Sequence, residues 1–323
     1  MALIEQSSIV RPLPTRLLHR VAVIGPRRPR TGTGPFVAEF LQQAGCSVVG
    51  WDRADARRWL APESPEPGVE AVAICSPAET HLDYLEAALA KRLHVFCEKP
   101  ILWPADHSCA AFEKLIARLA PTLDSALRDR LVVHENTQWV YTFKEFQRLA
   151  GNHCLGNIRR FRCELSPSSG TAPEMLMECC AHANSLSLQL GCSGMEDLRM
   201  SFERGDGGRG AVLDTGFHSR GASGVPVEVE YHFAQQISQP RAAAFEINDL
   251  RVERRIEMSG YRVFLKFGSQ EHAIRDPLQS SLEDFLAKIS GANRRPDPSI
   301  LPNIRMSCSL LNACPGSPEA AHA

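Results

Sequence analysis

At 323 residues the chain is long enough for two ordinary domains, and with 44% hydrophobic and 23% charged residues it fits neither a disordered nor a fibrous class. A formal net charge of −1 gives no basic surplus for nucleic acid, and no apolar run approaches the roughly 18 residues that span a bilayer, so neither partner is expected. Met1 to Arg20, with Pro12 and Pro14 among scattered charges, lacks the apolar centre of a signal peptide, which points to the cytoplasm.

Arg20 to Gly25 is an apolar run closed by glycine, and Phe36, Val37, Phe40, Leu41 and Ala44 follow at helical spacing. Between them lies Gly25-Pro26-Arg27-Arg28-Pro29-Arg30-Thr31-Gly32-Thr33-Gly34-Pro35, a longer connection than the GxGxxG of dinucleotide sites, with its flexible residues displaced downstream. Gly25, Gly32, Thr33 and Gly34 are the candidates for close backbone approach to a pyrophosphate, with Pro35 in the first turn of the helix and the positive helix end facing the anion. The competing reading is a rigid surface loop without a cofactor. A second strand, Ser47 to Trp51, ends at Asp52, whose carboxylate is placed to accept from ribose hydroxyls and favours NAD. Arg53 beside it, with Arg27, Arg28 and Arg30, offers guanidinium groups that favour NADP. The expected cofactor is therefore NAD(P).

Ala71 to Cys75 is a third strand running into Ser76-Pro77, and Thr80 to Arg92 an amphipathic helix carrying Leu82, Leu85, Ala88 and Leu89. His94-Val95-Phe96-Cys97 then stops abruptly in Glu98-Lys99-Pro100. A strand that delivers an ammonium group and ends at proline fixes that charge at the carboxyl edge of a sheet, where open α/β folds bind ligands, which makes Lys99 the leading catalytic candidate. Alternating strands and helices predict a doubly wound parallel Rossmann-type sheet, with Leu131 to His134 as a further strand. A boundary at Glu135 divides a dinucleotide-binding domain, 1–135, from a substrate-binding and oligomerisation domain, 136–314, followed by a flexible tail, 315–323.

Beyond the boundary, Tyr141 to Leu149 predicts a helix and Asn157 to Leu165 a strand. The polar loop Ser166 to Thr171 precedes a helix bearing Glu178-Cys179-Cys180-Ala181-His182, whose spacing puts Glu178 and His182 on one face. Strand-like runs follow at 198–203, 211–215, 225–233, 243–247, 251–258 and 261–267, suited to an open, mainly antiparallel sheet with helices on one face. Helices are expected over 281–289 and 300–311. The eleven cysteines form no CxxC pair and His134-Glu135 starts no HExxH, so no metal is expected.

Cys75-Ser76-Pro77-Ala78-Glu79-Thr80-His81, the helix after it, His94 to Pro100, the Glu178 to His182 spacing and Asp276-Pro277-Leu278 together resemble the glucose-fructose oxidoreductase, inositol dehydrogenase and MocA family. The resemblance implies an NAD(P)-dependent oxidoreductase in which Lys99 lies beside nicotinamide and substrate and moves the proton that accompanies hydride transfer. It implies that His182 shares the acid-base role or binds the reacting hydroxyl, with Glu178 as its orienter, although the family often has aspartate where Glu178 stands. Ser76, Pro77, His81, Glu98, Asn136 and Gln138 are implied in cofactor contact, and a homodimer or homotetramer through the C-terminal sheet. The substrate is expected to be a small sugar- or polyol-like hydroxyl or carbonyl compound, or an imine. The alternatives are a non-catalytic nucleotide-binding regulatory or scaffold protein of the same fold, and an NAD-dependent lyase or glycosidase.

Overall fold

The computed structural model describes residues 19–25, 33–64, 68–151, 157–205, 210–221 and 224–315. Gly32 and the loop arginines Arg27, Arg28 and Arg30, all expected near a pyrophosphate, lie outside the described residues. In chain order the helices are α1 (Gly34–Gln43), α2 (Arg53–Leu60), α3 (His81–Ala90), α4 (Cys109–Arg128), α5 (Gln138–Ala150), α6 (Ala172–Gln189), α7 (Pro277–Ser290) and α8 (Ile300–Asn312).

Five strands, β1 (Arg20–Ile24), β2 (Ser47–Trp51), β3 (Ala71–Ile74), β4 (His94–Cys97) and β5 (Val133–Glu135), form a parallel sheet in the order β2-β1-β3-β4-β5. Their runs are apolar almost throughout because both faces are covered. Val21, Val23, Ala71, Ala73 and Phe96 face α1 and α7, whereas Ala22, Ile24, Val72, Ile74 and Val95 face α3 and α4. Although it comes late in the chain, α7 thus closes one side of the first sheet with Leu278, Leu282, Phe285, Leu286 and Ile289, an apolar stripe at helical spacing.

The second sheet has eight strands: β6 (Arg160–Leu165), β7 (Ser193–Glu203), β8 (Val212–Arg220), β9 (Pro226–Ala234), β10 (Ala243–Ile247), β11 (Leu250–Glu257), β12 (Arg262–Phe267) and β13 (Gln270–Ile274). Their order is β13-β12-β11-β10-β6-β9-β8-β7, and only β6 and β9 run parallel. The inner face packs on α5 and α6; Phe245 meets Trp139, Phe143 and Phe146 edge-on. The outer face is a carpet of charge with ion pairs such as Arg160–Glu230 at 2.9 Å, Arg251–Glu164 at 2.6 Å and Arg255–Glu271 at 2.7 Å.

Several elements go beyond the sequence expectation. No helix is expected between Pro100 and Leu131, yet α4 runs through Pro121, which it tolerates within an otherwise amphipathic pattern. Helix α2 is short and arginine-rich, and strand β13 is mostly polar and half exposed, so neither shows a clean apolar period. Among the described residues no helix is long and apolar enough to cross a membrane, and no cluster of three or more histidine, cysteine or carboxylate groups could hold a metal ion.

Candidate active site

Sheet register builds the site. Ile24 pairs with Trp51 and Ile74, Ile74 with Cys97, and Cys97 with Glu135. The next residue on each strand therefore falls on one row along the carboxyl edge: Asp52, Gly25, Cys75, Glu98 and Asn136. The chain crosses from one side of β1 to the other between β2 and β3, so the β1–β3 crevice is where such a fold takes its ligand. Gly25 stands there with φ +87°, and a Cβ on it would lie 2.9 Å from the Cys75 carbonyl oxygen; only glycine lets the ends of β1 and β3 approach this closely.

Glu98 and Asn136 are buried neighbours, with Asn136 Nδ2 donating to Glu98 Oε1 at 2.7 Å. Burial raises the Glu98 carboxyl, opposed by hydrogen bonding from Asn136, the charge of Lys99 and a hydrogen bond from Thr33 at the start of α1. Asn136 Oδ1 is shut off from solvent and has no hydrogen-bond partner among the described residues. Gln138, the first residue of α5, is half-buried beside this row. Gly34 and Pro35 open α1 as expected.

Lys99 is half-buried and its ammonium donates to the main-chain carbonyl of Glu178 on α6, which joins the two halves of the molecule. That carbonyl lies one helical turn before His182. His182 Nδ1 is buried without a hydrogen-bond partner among the described residues. Burial, then the charges of Lys99 and Arg254, hold its pKa well below the usual histidine value, so the ring is neutral at pH 7.

Four of the expected sites have protein partners of their own in the structure. Glu178 does not orient His182: its carboxylate accepts from Ser168 N at 2.9 Å, Ser169 N at 3.0 Å, both serine hydroxyls and Arg241 Nη1 at 3.1 Å. Burial alone would raise this carboxyl, but those hydrogen bonds and the arginine bring it below its ordinary value. Glu178 thus pins the loop after β6 over the site. His81 turns inward, with Nδ1 2.8 Å from the Pro100 carbonyl and Nε2 2.8 Å from the Ser76 carbonyl, and braces the loops after β3 and β4 instead of reaching toward a cofactor. Ser76 and Pro77 fold onto Thr80, whose hydroxyl lies 2.7 Å from both Ser76 Oγ and the Pro77 carbonyl. Asp52 caps α2, its Oδ1 accepting from Ala54 N at 2.8 Å and Asp55 N at 2.9 Å, so one carboxylate oxygen is already engaged.

Glu135 and Arg57 join the site without a sequence motif, beside the expected Arg53. Glu135, buried beneath the lysine loop, accepts from Ile101 N at 2.9 Å and is pushed up to about 7 by burial. Arg53 and Arg57, one turn apart on α2, line a cavity of about 290 Å³ with Thr80 and Tyr84 of the α3 segment. Burial pushes the Cys180 thiol up to about 12, which leaves it inert.

Residues 30–120 match the profile of an oxidoreductase family with an NAD-binding Rossmann fold, that of glucose-fructose oxidoreductase, inositol dehydrogenase and MocA. No curated protein matches the sequence. Among solved structures the chain is similar to UDP-N-acetylglucosamine 3-dehydrogenase from Acidithiobacillus ferrooxidans, at 19% identity and a TM-score of 0.63, covering 94% of this chain and 99% of that one. It is similar to biliverdin reductase from Synechocystis sp. PCC 6803, solved with biliverdin and NADP+, at 16% identity and a TM-score of 0.57, covering 92% and 99%. It is also similar to myo-inositol 2-dehydrogenase from Lactobacillus plantarum, at 11% identity and a TM-score of 0.61, covering 91% and 96%. At these identities the structures show a shared fold across both sheets.

Proposed function

We infer that this chain, whose first domain carries the NAD-binding Rossmann fold of the glucose-fructose oxidoreductase, inositol dehydrogenase and MocA family, is an NAD(P)-dependent dehydrogenase or reductase acting on a small hydroxyl, carbonyl or imine substrate. The observation that carries this reading is the meeting of Lys99, from the edge of the first sheet, with the His182 turn of α6. Two buried polar atoms there, Asn136 Oδ1 and His182 Nδ1, have no protein partner, as expected of groups that complete their hydrogen bonds on ligands.

The residues present fit a nicotinamide dinucleotide, which when bound supplies hydride exchange at its C4 carbon. Asn136 and Gln138 would hold its carboxamide end, and Thr33, Gly34 and the α1 N-terminus its phosphates. Lys99 Nζ gives a proton to the substrate oxygen or nitrogen on reduction, and takes it back on oxidation. His182, neutral and with a free Nδ1 among the described residues, hydrogen-bonds the reacting hydroxyl, and Glu98, buried and bonded to Asn136, backs the lysine loop.

We also read the cofactor as NADP. Asp52 is committed to capping α2, while the guanidinium groups of Arg53 and Arg57 stand at the cavity beside the β2 end and are placed for a 2′-phosphate. The outer face of the second sheet is the surface we assign to a homodimer, checked by light scattering at low and high salt. The function is tested by following NADPH oxidation against a panel of small carbonyl acids, sugars and cyclic imines. Turnover by wild type and its loss in Lys99→Met is the expected result; wild-type turnover by Lys99→Met would sink the role of the lysine.

A further inference from the structure

The inner row of the second sheet is apolar along β10, β11 and β12, with one exception. Ala243, Phe245, Ile247, Val252, Val263 and Leu265 are all buried, and the next inward position after Val252 is Arg254, paired with Ala243 on one side and Leu265 on the other. Its guanidinium carbon lies 4.7 Å from the centroid of the Trp139 ring, and its Nε is closed to solvent and has no hydrogen-bond partner among the described residues. No ion pair joins it to a carboxylate among the described residues.

Burial disfavours its charge, and the fields of Tyr261 and Asp276 oppose that only from a distance, Asp276 being engaged in capping α7 by accepting from Leu278 N at 2.8 Å. Toward the first domain its charge acts on His182 together with that of Lys99. Toward the loop, Arg241 stands two residues before Ala243; it gives one nitrogen to Glu178 and keeps a buried Nε without a partner. Arg254 is half-buried, but its Nε is closed to water and no carboxylate neutralises it, an arrangement that is costly unless a ligand completes it. A carboxylate arriving beside the proton-transfer residues answers it.

We propose that the substrate is an acid, its carboxylate seated on Arg254 against the Trp139 ring so that the reacting carbon lies between Lys99 and His182. The planar fork of arginine matches a carboxylate in two parallel bonds. A phosphate would bring a second charge, for which Ala243 and Leu265 supply no side-chain donor and Trp139 only its indole N–H. The proposal rests on the hydride-transfer reading for the identity of the reacting centre, but the anion seat stands on the surroundings of Arg254 alone.

The test is calorimetry and melting temperature at constant ionic strength, with and without NADPH. The probes are oxalate, malonate and D-glucuronate against their neutral amides, with inorganic phosphate as a separate arm. At least one carboxylate is expected to raise the melting temperature of wild type and to bind about thirtyfold or more tighter than its amide. That preference is expected to vanish in Arg254→Met and to return in part in Arg254→Lys. Ligand-free Arg254→Met is expected to melt above wild type, because a half-buried cation without a counter-ion has been removed. The proposal is overturned if no carboxylate shifts wild type, if acid and amide bind alike, if Arg254→Met keeps the preference, if phosphate alone binds, or if ligand-free Arg254→Met melts lower. Failure of NADPH to bind in the same titrations would count against the oxidoreductase reading and leave the arginine comparison intact.

Discussion

Lys99 is held where β4 stops, with Glu98 buried behind it and the Glu178 carbonyl in front, so its ammonium is aimed across the gap between the two sheets. Replacing it by methionine removes the proton donor and leaves the sheet edge intact. Lys99→Met is expected to lower kcat by about 10²–10⁴-fold, with NADPH affinity within about twofold of wild type by fluorescence titration. His182 is expected to act as a neutral hydrogen-bonding group because its pKa lies well below the usual histidine value. Wild type should therefore show no inflection near pH 6.5 arising from this ring, and His182→Asn should lower kcat/KM without changing the shape of the pH profile. A profile whose acid limb disappears in His182→Asn would contradict this. At this scale the lysine was legible because a strand ending in Lys-Pro places a charge unambiguously. The partners of Glu178 were not, since spacing along a helix says which residues share a face and nothing about a serine loop or an arginine brought in just before β10. Arg254 left a faint signal, a charge breaking the period-two row of Val252 and Ile256, which is visible only once the buried face of β11 is known.

Helix α2 shows how a capping residue competes with a binding role. Asp52 satisfies two amides at the helix start, so Asp52→Ala is expected to cost about 1 kcal/mol in stability. Selection of the cofactor then falls to Arg53 and Arg57. The double variant Arg53→Ala/Arg57→Ala is expected to weaken NADPH by about 10–100-fold and leave NADH nearly unchanged, because removed phosphate contacts act only on the ligand that carries the phosphate. An equal loss for both cofactors would contradict it. Strand β4 carries a second device. His94 Nδ1 accepts from Val132 N at 2.9 Å, which requires a neutral ring, and burial, with the nearby charges of Arg294 and His19, lowers its pKa from 6.5 to about 4. Between those values the unfolded chain binds the proton and the folded one does not, so the contribution of this histidine to stability is full above pH 6.5 and is lost as pH falls toward 4. His94→Asn keeps an acceptor without the titration; relative to wild type its urea midpoint should rise as pH is lowered through that window. The parallel strands and their crossovers were readable as apolar runs with helical spacing between them. Helices α2 and α4 were not, one being short and polar and the other crossing Pro121.

The whole molecule is tied together by elements that ignore the order of the chain. Helix α7 follows the second sheet in sequence but closes the first, with Phe285 fully buried and edge-on to Phe96 at 5.7 Å. His134, Ser281, Tyr141, Asp284 and Lys288 add a polar lock at the same seam, with Lys288 3.1 Å from His134 Nδ1 and Tyr141 donating to Asp284 at 2.7 Å. Phe285→Ala is expected to lower unfolding stability by about 3–5 kcal/mol and to do so as one transition, because α7 joins both halves. Two separate transitions in calorimetry would show that the halves unfold independently. Composition and periodicity announced two sheets of opposite kind; they gave no sign that a late helix returns to the first, since an amphipathic stripe does not name its partner. The account as a whole turns on a nicotinamide dinucleotide reaching the edge where Gly25, Glu98, Lys99 and Asn136 converge. The direct test is titration of the purified protein with NADPH and with NADH, read by nicotinamide fluorescence and by the shift in melting temperature. Micromolar binding, tighter for NADPH and retained in Lys99→Met, is the predicted result; no binding of either cofactor in any redox state would contradict the account.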